Sequence, residues 1–230
     1  MNGRRRAGAI LLAVVGAAVS AGSVQGGEYV VDPATSVFAV LTHKAGIASS
    51  LAHDHLVVAN GARAVLEFDA LSPETTRFDF TAAVEALDID APAHRAAWKN
   101  RFRELGIHSG DLPPVADSDR RKVRAAMLGE SQLDGAKFPD IRAEVLALER
   151  GSGTGTATWT VPVRLTIHGK TIERRLAATW SLAEGVLSVE IVGELHFKEF
   201  GIEPYSTLLG AIRNDDLFHL YVRVFARPKA

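Results

Sequence analysis

The stretch TWTVPVRLTI at residues 158–167 decides the fold class. Trp159, Val161, Val163, Leu165 and Ile167 alternate with Thr158, Thr160, Pro162, Arg164 and Thr166. An extended backbone sends successive side chains to opposite faces, so this pattern gives one apolar face and one face toward water. The same period returns in Val189, Ile191, Gly193, Leu195 and Phe197, set against Glu190, Val192, Glu194 and His196. Further strands are expected over residues 29–42, 55–69, 77–88, 141–148, 172–181 and 217–226. Turn signals separate them at Asn60-Gly61, Ser72-Pro73, Gly151 to Gly155, His168-Gly169-Lys170 and Glu184-Gly185.

Between the third and fourth strands, residues 93–105 and 118–128 carry helix-forming residues, with Asp117 or Ser118 placed to cap the second segment. Many antiparallel strands with one apolar face must stack in two sheets or close on themselves. The expectation is an all-β fold, an antiparallel barrel of about eight strands with one or two inserted helices flanking or plugging one end.

The start of the chain reads as an export signal. Arg4, Arg5 and Arg6 precede the uncharged run AGAILLAVVGAAV at residues 7–19, and the small residues Ser20, Ala21, Gly22 and Ser23 follow. The run is shorter than the about 20 apolar residues that a transmembrane helix needs, so a cleaved leader over residues 1–21 is the better reading than an anchor. Cleavage after Ser20 or Ala21 satisfies the small-residue rule, and the boundary falls within residues 20–27. Removing the three arginines takes Lys+Arg from 26 to 23 against 27 Asp+Glu, and the net charge from −1 to about −4. That balance offers nothing to nucleic acid. With no cysteine in the chain, thiol chemistry, a disulfide framework and a lipid-modified cysteine are all excluded, and packing must hold the fold. No Pro/Ser-rich linker divides the remainder, and a single domain over residues 28–228 is expected.

Six segments of that domain resemble the YceI-like family. They are Tyr29-Val30-Val31-Asp32-Pro33 with Ser36, Thr42-His43-Lys44-Ala45-Gly46, Lys137-Phe138-Pro139-Asp140-Ile141, Leu165 to Thr171 (LTIHGKT), Phe200-Gly201-Ile202, and a closing strand. The Leu-Thr-Ile-His-Gly turn followed some thirty residues later by Phe-Gly-Ile is the most specific pair. The chain departs from the family in two places: Ser49 to His55 (SSLAHDH) replaces a Gly-rich strand start, and the insertion from Ala91 to Pro114 is longer.

The resemblance implies a lipocalin-like barrel with an apolar tunnel for a polyisoprenoid, a quinone-like or a fatty molecule, in a protein of the periplasm. Phe38, Val40, Phe80, Leu165, Ile167, Leu195 and Phe197 are the candidate lining, and the same residues would equally fill a solid core. Interiors of eight-stranded barrels are about wide enough to be packed by side chains or to hold one small ligand.

A metal or haem site is the alternative from a different class. His53 and His55 are two apart, so in an extended segment both imidazoles leave the same face, with His43, Asp54, His196 or His219 as a third ligand. Polar histidines at a barrel mouth are the plainer account of the same residues. His168 reads as a turn residue, and His108 has no partner in sequence. An enzyme acting on a small amphiphile is the third possibility. Gly151 to Gly155 (GSGTG) lacks the spacing and strand-to-helix context of a nucleophile turn, and no phosphate loop or dinucleotide fingerprint is present. Glu67/Asp69 and Glu190/Glu194 read as solvated strand faces. No catalytic constellation and no required cofactor emerge, although a divalent metal has candidate ligands.

In the helical stretch from Arg95 to Arg103, Trp98 and Phe102 stand among Arg95, Lys99, Arg101 and Arg103. The segment suits packing on the barrel, and also transient contact with a membrane surface. Monomer and homodimer are both compatible with these features.

Overall fold

The computed structural model describes residues 26–151 and 159–230. The leader read over residues 1–21 and most of the GSGTG loop lie outside the described residues. Thirteen strands and two helices follow one another as β1 (Gly27–Val31), β2 (Val37–Ala45), β3 (Leu56–Ala59), β4 (Arg63–Phe68), β5 (Arg77–Ala83), β6 (Leu87–Ile89), α1 (Pro92–Glu104), α2 (Asp117–Leu128), β7 (Asp140–Val145), β8 (Glu149–Arg150), β9 (Trp159–Ile167), β10 (Lys170–Ala183), β11 (Val186–His196), β12 (Ser206–Thr207) and β13 (Ile212–Pro228). Among the described residues, no helix is long and apolar enough to cross a membrane.

Eight strands close the barrel in the order β1-β4-β5-β7-β9-β10-β11-β13, with β13 pairing back to β1. All pairings are antiparallel, which suits the hairpin signals in the sequence. The long β13 carries two strands in succession on its far side, since Tyr29 to Val31 pair with its C-terminal end and β2 with its N-terminal part. Hence residues 29–42 form two strands where the sequence pattern suggested one. Asp32 breaks them: its carboxylate accepts hydrogen bonds from the Ala34 N–H at 2.9 Å and the Thr35 hydroxyl at 2.8 Å, the local turn that Asp-Pro favours. The segment 55–69 divides in the same way at Asn60-Gly61, and 77–88 at the short helical turn Val84–Ala86.

That last break opens the wall. β5 pairs with β7 as far as Ala83 opposite Asp140, whereas β6 has shifted to pair with β3. α2 lies against β6 beside this gap, held by Arg120, which donates to the Ile89 carbonyl at 2.9 Å and to Asp88 at 3.1 Å. The expected cap on Asp117 or Ser118 is corrected: Ala116 occupies the N-cap with no side-chain hydrogen bond, and Asp117 and Asp119 instead place negative charge in the first turn, where it favours the helix dipole.

α1 packs on the outer wall. Val37 and Leu41 of β2, Leu56 and Val58 of β3, and Tyr221 of β13 meet Phe102, Ile107 and Leu112 in a core outside the barrel, and Leu41, Leu56, Phe102 and Tyr221 are fully buried. β2 is therefore covered on both sides, which explains why VFAVL is a continuous apolar run. Arg101 pins the helix through a bidentate pair with Glu190, whose other hydrogen bond comes from the Tyr221 hydroxyl at 2.9 Å. Burial, and then the hydrogen bond to Glu190 and its charge, push the Tyr221 phenol up to about 12.

Candidate functional site: an apolar cavity in the barrel

The inward positions of the strands enclose a cavity of about 310 Å³. Phe38, Val40, Phe80, Leu165, Ile167, Leu195 and Phe197 all line it. They arrive there by strand alternation: Phe38 and Val40 are the inward neighbours of the outward Val37 and Leu41. The Phe38 ring lies 4.5 Å from that of Phe80, and Phe197 lies 4.7 Å from Phe218. A second cavity of about 50 Å³ shares Phe78, Val145, Val161, Ile191 and Val222 with the first and continues it toward Trp180. Trp180 stands edge-on to Phe68 at 5.0 Å across this deep end. The polar groups of the large cavity are confined to Thr42, His55, Lys122, Gln132, Tyr205 and Asn214. Such a space takes a long apolar body and offers few hydrogen bonds.

Lining residues also come from α2, namely Val123, Ala126 and Met127, with Leu133 just beyond it. Sequence reasoning missed them, although their spacing of three and four residues on one helix face was the available signal. The polar residues mark the rim. Strands β2, β9 and β11 end there, and β10 and β13 begin there. Lys122 and Tyr205 are exposed at this rim while touching the cavity, so it is the mouth. Gln132 ties the segment after α2 to the next loop by donating to the Glu203 carbonyl at 3.0 Å.

Three separate sequence motifs meet at the same rim. His168 and Gly169 both have positive φ, as a two-residue hairpin requires. A Cβ on Gly169 would lie 2.3 Å from the Phe138 ring, so only glycine lets Phe138 sit on the turn. The His168 ring packs edge-on to Phe138 at 4.7 Å, and its Nδ1 lies 3.3 Å from the Phe200 carbonyl oxygen. The turn thus joins Phe138-Pro139, His168-Gly169 and Phe200-Gly201 into one node on the rim.

His53 and His55 lie in the stretch between the short helical turn at Ser49–Leu51 and β3, which begins at Leu56. Their rings are 6.5 Å apart and inclined at 69°. His53 is exposed, while His55 Nδ1 lies 2.7 Å from the buried Asp90 carboxylate. Asp90 also accepts from the Leu56 N–H at 2.9 Å and is paired with Arg95, itself buried. Burial alone would raise the Asp90 carboxyl, but hydrogen bonding and charge from His55, with Leu56 and Arg95, hold it below its usual range.

The other suggested ligands also have partners. Asp54 accepts from the Lys44 N–H at 2.7 Å and lies 3.1 Å from His108 Nε2. His196 faces Asp216 at 3.4 Å. His43 Nε2 is 2.7 Å from His219 Nδ1, and His219 Nε2 is 3.6 Å from Glu194. Burial pushes both His43 and His219 below the usual imidazole range, and for His43 the neighbouring His219 adds to it. Among the described residues, no group of three or more His, Cys, Asp or Glu side chains is placed to hold a metal ion.

The family model of the YceI-like domain matches residues 29–222. No curated protein matches the chain. Among solved structures, BcnA of Burkholderia cenocepacia is similar with a TM-score of 0.59 and 14% identity, over 85% of this chain and 99% of that one. The YCEI protein of Campylobacter jejuni is similar with a TM-score of 0.53 and 15% identity, over 76% of this chain and 85% of that one. These likenesses are likenesses of fold.

Proposed function

The chain belongs to the YceI-like domain family, and on that footing we propose that it binds a long-chain amphiphile, a polyisoprenoid, quinone-like or fatty molecule, inside the barrel and carries or stores it in the periplasm. The observation that carries this reading is the apolar cavity, which runs from a rim with a few polar groups into a deeper, wholly apolar end. Each methylene moved from water into such a space contributes about 0.8 kcal/mol, so chain length rather than charge sets affinity. The basic start of the leader, Arg4, Arg5 and Arg6, with the apolar run behind it, supports export. A carrier also suits a compartment where amphiphiles must cross water. The histidine and carboxylate groups gather mainly on the outer wall under α1 and its following loop, and the one histidine on the cavity, His55, is engaged by Asp90. This arrangement favours binding over catalysis.

Displacement of a fluorescent fatty-acid probe by unbranched alcohols and polyprenols of increasing length tests the reading. Affinity that rises about threefold to fourfold per added buried methylene until the cavity is full is the expected result. Affinity independent of chain length, or no probe binding, contradicts it.

A further inference from the structure

Two loops at the cavity mouth are made almost entirely of small and apolar residues. Residues 45–53 read AGIASSLAH and residues 205–212 read YSTLLGAI, and neither contains an acidic residue, a lysine or an arginine. They touch. The Ala48 N–H donates to the Ala211 carbonyl at 2.9 Å, and a Cβ on Gly46, whose φ is +94°, would lie 2.4 Å from that same oxygen. The loops therefore form one tip. From it Ile47, Leu51, Leu208 and Leu209 project into solvent at 98%, 74%, 64% and 109% of full exposure.

Such exposure is not the passive residue of a poorly covered core. Leu208 and Leu209 both take positive φ, at 49° and 54°, a conformation disfavoured for any residue with a Cβ, and it turns two leucines outward together. The tip also sits at the mouth: Ser206 and Thr207 pair with Arg213 and Ile212, the Asn214 N–H donates to the Tyr205 carbonyl at 2.9 Å, and Tyr205 and Asn214 both line the cavity.

We propose that this tip docks on a phospholipid membrane surface, inserting Ile47, Leu51, Leu208 and Leu209 so that the cavity mouth opens against the bilayer. The proposal rests on the lipid-binding reading for its purpose, and on the tip alone for the contact. Two observations favour a membrane over a protein partner. Side chains standing almost fully free as separate points suit a fluid phase, whereas protein interfaces place their anchors in matching pockets. A lysine and an arginine stand at the base of the tip, since Lys44 immediately precedes the first loop and Arg213 follows the second, both exposed. Apolar tips with basic collars match the interface of bilayers bearing anionic headgroups.

Co-sedimentation with vesicles of phosphatidylethanolamine and phosphatidylglycerol tests the proposal. The wild-type protein is expected in the pellet, with partitioning reduced about tenfold or more in Leu208→Asp/Leu209→Asp and in Ile47→Asp/Leu51→Asp. Aspartate accepts positive φ more readily than leucine, so the first pair leaves the fold intact. Leu71→Asp, at another exposed leucine away from the tip, is expected to sediment like the wild type. Wild-type protein that stays in the supernatant overturns the proposal, as do loop variants that pellet unchanged or a Leu71 variant that loses as much. Sedimentation velocity without vesicles distinguishes a second copy as the occupant: a wild-type dimer that the loop variants convert to monomer, with no vesicle association, also overturns it. Binding of a fluorescent fatty-acid probe by every variant, measured without vesicles, separates the two readings, because loss of the cavity function abolishes probe binding and leaves the vesicle result to stand alone.

Discussion

His55 Nδ1 lies 2.7 Å from the Asp90 carboxylate, at a point where the inner wall of the cavity meets the buried polar layer beneath α1. The same carboxylate holds Arg95 of α1 and the first N–H of β3, so one buried acid fixes a cavity residue, a strand end and the inserted helix together.

Replacing Asp90 by Ala leaves Arg95 buried without its partner. Removing one member of a buried pair costs about 3–5 kcal/mol, and a loss of that size is expected in denaturant titration. The folded carboxyl is held below its ordinary range, so its contribution is present above the unfolded pKa and is lost as pH falls through the folded value. Wild-type stability should therefore fall faster than that of the variant below about pH 4. Equal slopes contradict the assignment.

The His43–His219 contact is a pH-sensitive joint. A short contact between two imidazole nitrogens needs one of them unprotonated, and both rings are held below the usual imidazole range. A depressed imidazole contributes stability above its unfolded pKa, and that stability is lost as pH falls through the folded value. The melting temperature of the wild type should decline from about pH 7 to about pH 5, and His43→Gln/His219→Gln should flatten the decline. An unchanged decline in the variant excludes this pair as its cause.

Ala143 of β7 lines the cavity opposite the larger side chains of β9. Ala143→Trp fills ligand space at one position, and a loss of about tenfold or more in affinity for a fatty-acid probe is expected, with the fold kept. Retained affinity in a folded variant places the ligand elsewhere.

Phe102 is fully buried, and Trp98 packs against Tyr221 at a ring distance of 5.5 Å. Phe102→Ala should cost about 3–5 kcal/mol. Trp98→Ala should lower the melting temperature and leave vesicle association as it is, because this ring packs on the outer wall. A Trp98 variant of unchanged stability that no longer binds vesicles would return the membrane contact to α1.

Strand alternation made much of this legible. Residues 158–167 and the seven expected lining residues needed only the two-residue period and a closed sheet to face inward. The breaks were less legible. Alternation persists through Asp32 and Val84, where local turn chemistry and the changed pairing of β6 divide long apolar segments in two. His108 met Asp54 across 54 positions of sequence, through a loop whose path no local pattern dictates. The exposed leucines at 208 and 209 follow alternation no better, since their direction comes from positive φ.

That the barrel encloses an amphiphile is tested most directly by native mass spectrometry of the protein purified from a periplasmic extract, with organic extraction and metal analysis of the same sample. The predicted result is an added mass that is released by the solvent and identified as a single-chain isoprenoid, quinone-like or fatty molecule, with no stoichiometric metal. An empty barrel in every charge state, or bound zinc, copper or haem without an extractable lipid, would contradict it.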